Sequence, residues 1–465
     1  MLLRIIFLLA FSYVALSRFT VKTLPGFPGE LPFKLETGYI GVGEADEVQL
    51  FYYFIESQGR PKDDALMLWL TGGPGCSALS GLLYEIGPFT FDYEKSTRSA
   101  PALKSNPFSW TEVANIIFLD SPVGTGFSYS KTSEGYYSND TLSTAQTYSF
   151  LRKWLIDHPE FLDNPLYIGG DSYSGMIVPV IVQEIYNGIE AGLQPSMNIK
   201  GFLVGNPYTN KTSDLNSRVP FAHRVSLLSD ELYESTKEDC NGNYVEPDLN
   251  NSSCINDLQV VEQCIEKIFT ANILEPKCAT LSPKPNTTLK WDQSNSIEEN
   301  PRDFLHKLPL LKGHWCREYN YLFSYIWANN KTVQEALHIR EGTIKEWVRC
   351  NTSLPGYTQN LASCIDYHRN LTNKLCRALV YSGDHDMVIP YVGTQEWIYS
   401  LNLTIESGWE SWFVDAQVAG YTEKYSHNNY DLTFTTVKGA GHTAPEYKPK
   451  QCLAMLSRWF AYYPL

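Results

Sequence analysis

The chain has 465 residues, of which 14% are aromatic and only 19% charged, which excludes a disordered chain and leaves room for a large core with an insertion. Its formal charge of −14 excludes nucleic acid as a partner and suits an acidic surrounding, where carboxylates shed charge.

Met1-Leu2-Leu3-Arg4 precedes an apolar run over Ile5–Leu16, and Ala15-Leu16-Ser17 is a small-x-small cleavage site. This predicts a secretory signal peptide over 1–17 rather than an uncleaved anchor, because the run is short for a membrane span. No later stretch approaches about 20 apolar residues, so no membrane association is expected after cleavage. The compartment is then secreted or vacuolar. Nine Asn-x-Ser/Thr sequons agree, at Asn139, Asn210, Asn250, Asn251, Asn286, Asn330, Asn351, Asn370 and Asn402, and are expected to carry surface glycans. The ten cysteines lack paired Cys-x-x-Cys or His spacing, which favours disulfides and disfavours a metal site.

Thr37–Gly43 and Val48–Ile55 read as an opening β-hairpin. Continuous apolar runs follow at Leu66–Leu70, Asn115–Leu119, Leu166–Gly169, Gly201–Val204, Ala378–Tyr381 and Leu432–Val437. Helical spacing marks Thr141–Ile156, Gly175–Tyr186 and Lys450–Tyr462. Buried strands alternating with helices predict an α/β fold, a mainly parallel central sheet with helices on both faces. The strand rhythm fails between Tyr208 and Cys350, a stretch with six cysteines. We therefore divide the chain into a core over 18–207 and 351–465 and a lid inserted over 208–350. Within the lid, 282–312 is polar and proline-containing, as a flexible or excised linker would be. No internal repeat is present.

Three short segments carry chemistry. Ser172, in Gly-Asp-Ser-Tyr-Ser-Gly, follows a strand and precedes a helix. Asp384 and Asp386 follow the strand at Ala378–Tyr381, and His442 follows the strand at Leu432–Val437. A serine, then an acid, then a histidine, each after a strand, is the order of an α/β-hydrolase fold, and it points to acyl transfer through an acyl-serine. A serine hydroxyl needs a base within hydrogen-bond reach, and His442 is the candidate; His385 is its rival, disfavoured by chain order. Asp386 and Asp384 are both candidates to orient the imidazole, and spacing does not separate them. Ser174 stands where the usual motif has glycine. The Gly72-Gly73-Pro74-Gly75 turn can bring the Gly73 N–H to an oxyanion, with the Tyr173 N–H as second donor.

The chain resembles the serine carboxypeptidase-like family. The resemblance is carried by Trp69-Leu70-Thr71-Gly72-Gly73-Pro74-Gly75-Cys76-Ser77, Glu85-Ile86-Gly87-Pro88 and Pro122-Val123-Gly124-Thr125-Gly126-Phe127-Ser128-Tyr129, with the Ser172, Asp386 and His442 segments, and runs from Leu24 to the C-terminus. It implies Ser172, Asp386 and His442 as the triad and Gly73 and Tyr173 as oxyanion donors. It also implies the disulfides Cys76–Cys350, Cys240–Cys254 and Cys278–Cys316.

In that family an Asn at position 71, a Glu at position 171 and the acid at Glu85 bind the free carboxylate of a peptide. This chain has Thr71 and Asp171. Thr71, Gly72, Glu85 and Asp171 are therefore the expected substrate-binding residues, in an altered form. The Ser172 and His442 segments resemble the plant acyltransferase branch. That resemblance implies transfer of an acyl group from a 1-O-acyl glucose ester to an acceptor hydroxyl, without a cofactor. The partners are then small molecules, and the protein is a monomer or a proteolysed two-chain form. A carboxypeptidase is the competing reading; a silent binding protein is disfavoured because the triad and both oxyanion positions are present.

Overall fold

The computed structural model describes residues 18–97, 100–278, 316–354 and 356–465. The expected signal peptide, the linker over 282–312 and the sequon at Asn286 lie outside the described residues.

Eleven strands line up in a sheet: β1 (Arg18–Val21), β2 (Leu35–Val42), β3 (Val48–Ile55), β4 (Ala65–Leu70), β5 (Ala114–Leu119), β6 (Leu166–Asp171), β7 (Ile199–Gly205), β8 (Cys376–Gly383), β9 (Thr404–Val414), β10 (Gln417–His427) and β11 (Tyr430–Val437). Their order is β1-β2-β3-β5-β4-β6-β7-β8-β11-β10-β9, and the short strand Tyr129–Ser130 pairs on β3. Six central strands, from β5 to β11, run parallel. The flanks, β1-β2-β3 on one side and β10-β9 on the other, pair antiparallel. The architecture is an α/β-hydrolase fold with a mixed, largely parallel sheet.

The apolar runs are central strands because both of their faces are covered. All residues of β4 and β5 are buried. On one face lie α1 (Asp140–Asp157) and α2 (Ser174–Glu190), which contribute Phe150, Leu151, Trp154, Met176, Ile181 and Ile185. On the other, the C-terminal helix Pro449–Phe460 buries Met455, Leu456 and Trp459 near Trp69 and Trp110. Each such side chain contributes about 1.5–3 kcal/mol on leaving water.

Helix α2 contains Pro179, which has no N–H for the carbonyl of Gly175 one turn earlier. That carbonyl instead accepts the Cys364 thiol at 3.2 Å. This gives Cys364, which sequence left without a partner, a role that needs no second sulfur.

The hairpin β9–β10 was not expected. Its outer strand is largely exposed, and register breaks at Ile405/Ser407, Ser407/Glu410 and Trp412/Phe413 interrupt the alternation that marks a strand in sequence. The turn residues Asp415 and Ala416 have φ of +52° and +59°, as a two-residue hairpin turn requires.

Residues 208–350 add no strand to the central sheet among the described residues and include the helices Lys211–Asn216, Arg218–Arg224, Asp230–Asp239, Ser252–Ile265, Tyr321–Ala328 and Lys331–Ala336. Disulfides join Cys76–Cys350, Cys240–Cys254 and Cys278–Cys316, while Cys264, Cys364, Cys376 and Cys452 are free thiols. Among the described residues no helix is long and apolar enough to cross a membrane.

Candidate active site

The sharp turn between β6 and α2 holds Ser172 at φ +55°, a left-handed conformation that a serine adopts only where the surroundings enforce it. The neighbouring turn after β7 enforces it here. Ser172 N–H donates to Gly205 O at 2.9 Å, and Tyr208 N–H donates to Ser172 O at 2.9 Å. Ser174 fits where glycine is usual because its buried hydroxyl donates to Leu70 O at 3.0 Å.

Ser172 Oγ lies 2.8 Å from His442 Nε2, and His442 Nδ1 lies 2.8 Å from Asp386 Oδ2. Asp386 is fully buried, and its oxygens also accept from Val388 N–H at 2.7 Å and Ile389 N–H at 3.2 Å. Asp384, in the same loop, faces elsewhere. Its Oδ1 accepts from Gly439 N–H at 2.7 Å and meets His385 Nδ1 at 2.5 Å. The two aspartates left open by spacing are thus separated: Asp386 backs the imidazole of His442, and Asp384 ties the two loops together.

Burial alone would lower the pKa of His442. The charge and hydrogen bond of Asp386, with the charge of Asp171, more than offset this and raise it above the ordinary imidazole value. A raised pKa makes the imidazole a stronger base for the serine proton.

The Gly72–Gly75 loop packs directly on the serine turn. A Cβ at Gly72 would stand 2.6 Å from Ser172 Cβ and 2.8 Å from Tyr173 N, so only glycine allows this approach. Among the described residues, neither the Gly73 nor the Tyr173 N–H donates to a backbone carbonyl. Asp120 and a disulfide hold the loop from behind. Asp120 accepts from Ser77 Oγ at 2.7 Å, Ala78 N–H at 2.8 Å and Phe127 N–H at 2.9 Å, and Cys76 is bonded to Cys350.

Below the site lie Thr71, Asp171 and Glu85. Asp171 Oδ1 accepts from Gly72 N–H at 3.3 Å. Thr71 Oγ1 and Glu85 Oε2 are buried without a hydrogen-bond partner. Burial pushes the Asp171 carboxyl up to about 6; burial, with the nearby charges of Asp171 and Glu446, pushes Glu85 well above its usual range.

Two features were missed in sequence. Asn206 is a buried neighbour of Asp386, with Nδ2 at 2.8 Å from its Oδ2. The segment Thr270–Ile273, between β7 and β8 in the chain, bonds to the loops of both Asp386 and His442: His442 N–H donates to Ala271 O at 2.7 Å, Met387 N–H to Thr270 O at 2.8 Å, and Ile273 N–H to His385 O at 3.1 Å. Backbone contacts like these leave no residue-type signature. The "GNP" at Gly205–Pro207, directly after a buried strand, was the available signal for Asn206.

Comparison with known proteins places the site in context. A family profile described as serine carboxypeptidase matches residues 25–462. Serine carboxypeptidase-like 13 of Arabidopsis thaliana is 45% identical over 463 residues, covering 100% of this chain and 98% of its own. Serine carboxypeptidase-like 1 of the same plant is 46% identical over 445 residues, covering 96% and 93%. In fold, the chain is similar to a prohormone-processing carboxypeptidase of Saccharomyces cerevisiae, with a TM-score of 0.70, 19% identity and coverage of 96% and 95%.

Proposed function

This chain belongs to the serine carboxypeptidase family, and from that premise we propose that it moves an acyl group from a 1-O-acyl glucose ester to an acceptor hydroxyl through an acyl-serine at Ser172. Ser172 Oγ attacks the ester carbonyl while His442 Nε2, 2.8 Å away, takes its proton. The imidazolium is stabilised by Asp386, and the oxyanion by the Gly73 and Tyr173 amides. The ester C–O bond breaks, and the glucose oxygen leaves with the proton from His442. An acceptor hydroxyl then gives its proton to His442 and attacks the acyl-serine, and Ser172 departs reprotonated. Transfer exceeds hydrolysis when the acceptor is held near the acyl-enzyme and water is not. Residues 208–350 reach the catalytic loops through Thr270–Ile273, and we assign acyl and acceptor selectivity to this lid. Disulfides suit an oxidising compartment, secreted or vacuolar.

The observation that carries this reading is the pair Thr71 and Asp171. A peptide's carboxylate needs closely placed donors. Thr71 has no amide to give, and Asp171, one methylene shorter than Glu, already accepts from Gly72 N–H.

A second reading, a carboxypeptidase releasing C-terminal residues, has specific support. The family profile and the relatives carry that name, and the comparisons favour it over acyl transfer. In acid, the neutral carboxyls of Asp171 and Glu85 would also offer O–H donors to a terminal carboxylate. Incubation with hydroxycinnamoyl- and benzoyl-glucose donors, with hydroxyl acceptors, beside blocked dipeptides separates the two. Ester product with little dipeptide cleavage is expected; dipeptide cleavage without glucose-ester turnover would establish the second reading instead.

A further inference from the structure

Strand β7 ends at Gly205, and the chain turns through Asn206 at φ +42°. Asparagine is among the few non-glycine residues that enter this region readily, yet its side chain here is completely buried rather than turned to solvent. Both polar atoms of its side chain and its backbone N–H meet the acid loop or the strand leading to it. Nδ2 donates to Asp386 Oδ2 at 2.8 Å, Oδ1 accepts from Gly383 N–H at 3.2 Å, and the backbone N–H donates to Tyr381 O at 2.7 Å. The flanking residues grip the nucleophile: Gly205 O accepts from Ser172 N–H, and Tyr208 N–H donates to Ser172 O, both at 2.9 Å. One four-residue turn therefore holds the backbone of the serine and the side chain of the acid.

We propose that Asn206 is a positioning residue for the acyl chemistry, fixing the Asp386 carboxylate against His442 and tempering how strongly that carboxylate holds the imidazolium. The proposal rests on the reading of Ser172, His442 and Asp386 as a triad. Asp386 Oδ2, the oxygen facing His442 Nδ1, is the one that Asn206 shares. A donor on that oxygen draws electron density away from the imidazole contact and restricts rotation of the carboxylate. Without it, the carboxylate has the amides of Val388 and Ile389 to hold it in register with the serine. The charged groups facing the imidazole are Asp386, Asp171 and Arg218; Tyr447 also lies within electrostatic reach of Asp386.

The test uses a fluorophosphonate, which reports Ser172 reactivity whatever the natural substrate is: Oγ bonds to phosphorus, fluoride leaves, and the serine proton passes to His442. Labelling rate per active site is measured against pH for the full-length wild type, Asn206→Gly and Asn206→Asp. Glycine accepts φ +42° but removes both side-chain hydrogen bonds, to Asp386 and from Gly383 N–H, so the rate is read per labelled site and a melt accompanies it. Asn206→Gly is expected to label about tenfold more slowly per site, the scale of the hydrogen bond to the charged Asp386 among the two it removes, with its pH midpoint moved upward. Asn206→Asp sets a second carboxylate beside Asp386 and is expected to move the midpoint further upward. A wild-type rate and midpoint in Asn206→Gly would overturn the proposal. So would a smaller labelled fraction with unchanged rate per site, the signature of a merely structural residue. No labelling of Ser172 in the wild type would remove the triad reading and this proposal together, so the two failures are told apart.

Discussion

The backbone N–H of His442 donates to the carbonyl of Ala271 at 2.7 Å, joining the base loop to the inserted region. Gly441, one residue earlier, has no side chain because the same carbonyl is there: a Cβ would stand 2.1 Å from Ala271 O and 2.7 Å from Asn272 Cβ. Gly441→Ala should push the inserted segment away or drag His442 out of line with Ser172. We expect about 1–3 kcal/mol of destabilisation, seen in thermal melts, and at least about a tenfold slower fluorophosphonate labelling, as misplacing a catalytic group by about 1 Å can produce. Unchanged labelling with a lowered melting temperature would show that the contact supports the fold and not the base.

Much of the core was legible because its strands are buried on both faces. Leu66–Leu70 and Asn115–Leu119 are continuous apolar runs for that reason, and each ends at a loop of the site or its support. The triad candidates were legible because each follows such a strand. What sequence did not carry depends on tertiary contact. Spacing alone did not separate Asp384 from Asp386, which the family resemblance favoured; the difference lies in which carboxylate meets His442, two residues apart in one loop. The Thr270–Ile273 contacts are made by backbone groups common to every residue. The β9–β10 hairpin breaks its own alternation at bulges, so its period is lost in the sequence although its pairing survives in the sheet.

Thr71 and Asp171 offer a direct reversal. The double substitution Thr71→Asn and Asp171→Glu restores the family's carboxylate-binding pattern. Hydrolysis of blocked dipeptides should rise at least about tenfold, while transfer from glucose esters falls, as expected when charge-assisted hydrogen bonds are gained for one substrate class. The added methylene at buried position 171 costs about 1–3 kcal/mol if its surroundings do not yield, so a melt must accompany the assay. Equal dipeptide rates in wild type and double variant would mean that these positions do not set the choice.

The buried carboxyls and His442 give stability and reactivity opposite dependences on pH. Burial, the largest cause in each case, pushes Asp120 and Asp171 up to about 6 and Asp214 to about 7. From about pH 4 up to those values, the folded chain keeps protons that the unfolded chain has released, so raising the pH lowers stability. His442 acts in the same direction. Its folded pKa is raised, so its contribution is present below the unfolded value and lost as pH rises through the folded one. Glu36 acts oppositely. Burial pushes its carboxyl up, but His158 and Tyr52 overcome this and lower it, so its stabilisation is lost only as pH falls through that lowered value. Scanning fluorimetry should give a higher melting temperature near about pH 5 than near about pH 8. Ser172 labelling, which needs neutral His442, should instead rise with pH through a midpoint above the ordinary imidazole value. A melting temperature that climbs steadily from acid to alkaline pH would contradict the assignment of these carboxyls.

The sequons differ in what their amides already do. Asn330 and Asn402 are exposed; Asn330 Oδ1 caps the helix that follows, accepting from Thr332 N–H at 2.9 Å, which leaves its Nδ2 as the group to be modified. Asn351 is engaged on every side. Its Nδ2 donates to Gly124 O at 3.0 Å, its backbone N–H to Gly75 O at 2.8 Å, and its Oδ1 accepts from Ser353 N–H at 3.3 Å. It clasps the Gly72–Gly75 loop to the Pro122–Gly126 turn, beside the Cys76–Cys350 disulfide. A sugar on Nδ2 would stand where the Gly124 chain runs. Enzymatic deglycosylation in heavy-oxygen water, followed by peptide mass spectrometry, should tag Asn330 and Asn402 and leave Asn351 untagged. Asn351→Ala should slow Ser172 labelling several-fold, because it keeps the backbone bond to Gly75 O but frees the Gly75 loop from Gly124, a loss on the order of 1 kcal/mol for one neutral hydrogen bond. A tag at Asn351 in active enzyme, or a wild-type labelling rate in Asn351→Ala, would show that the clasp does not bear on the Gly72–Gly75 loop.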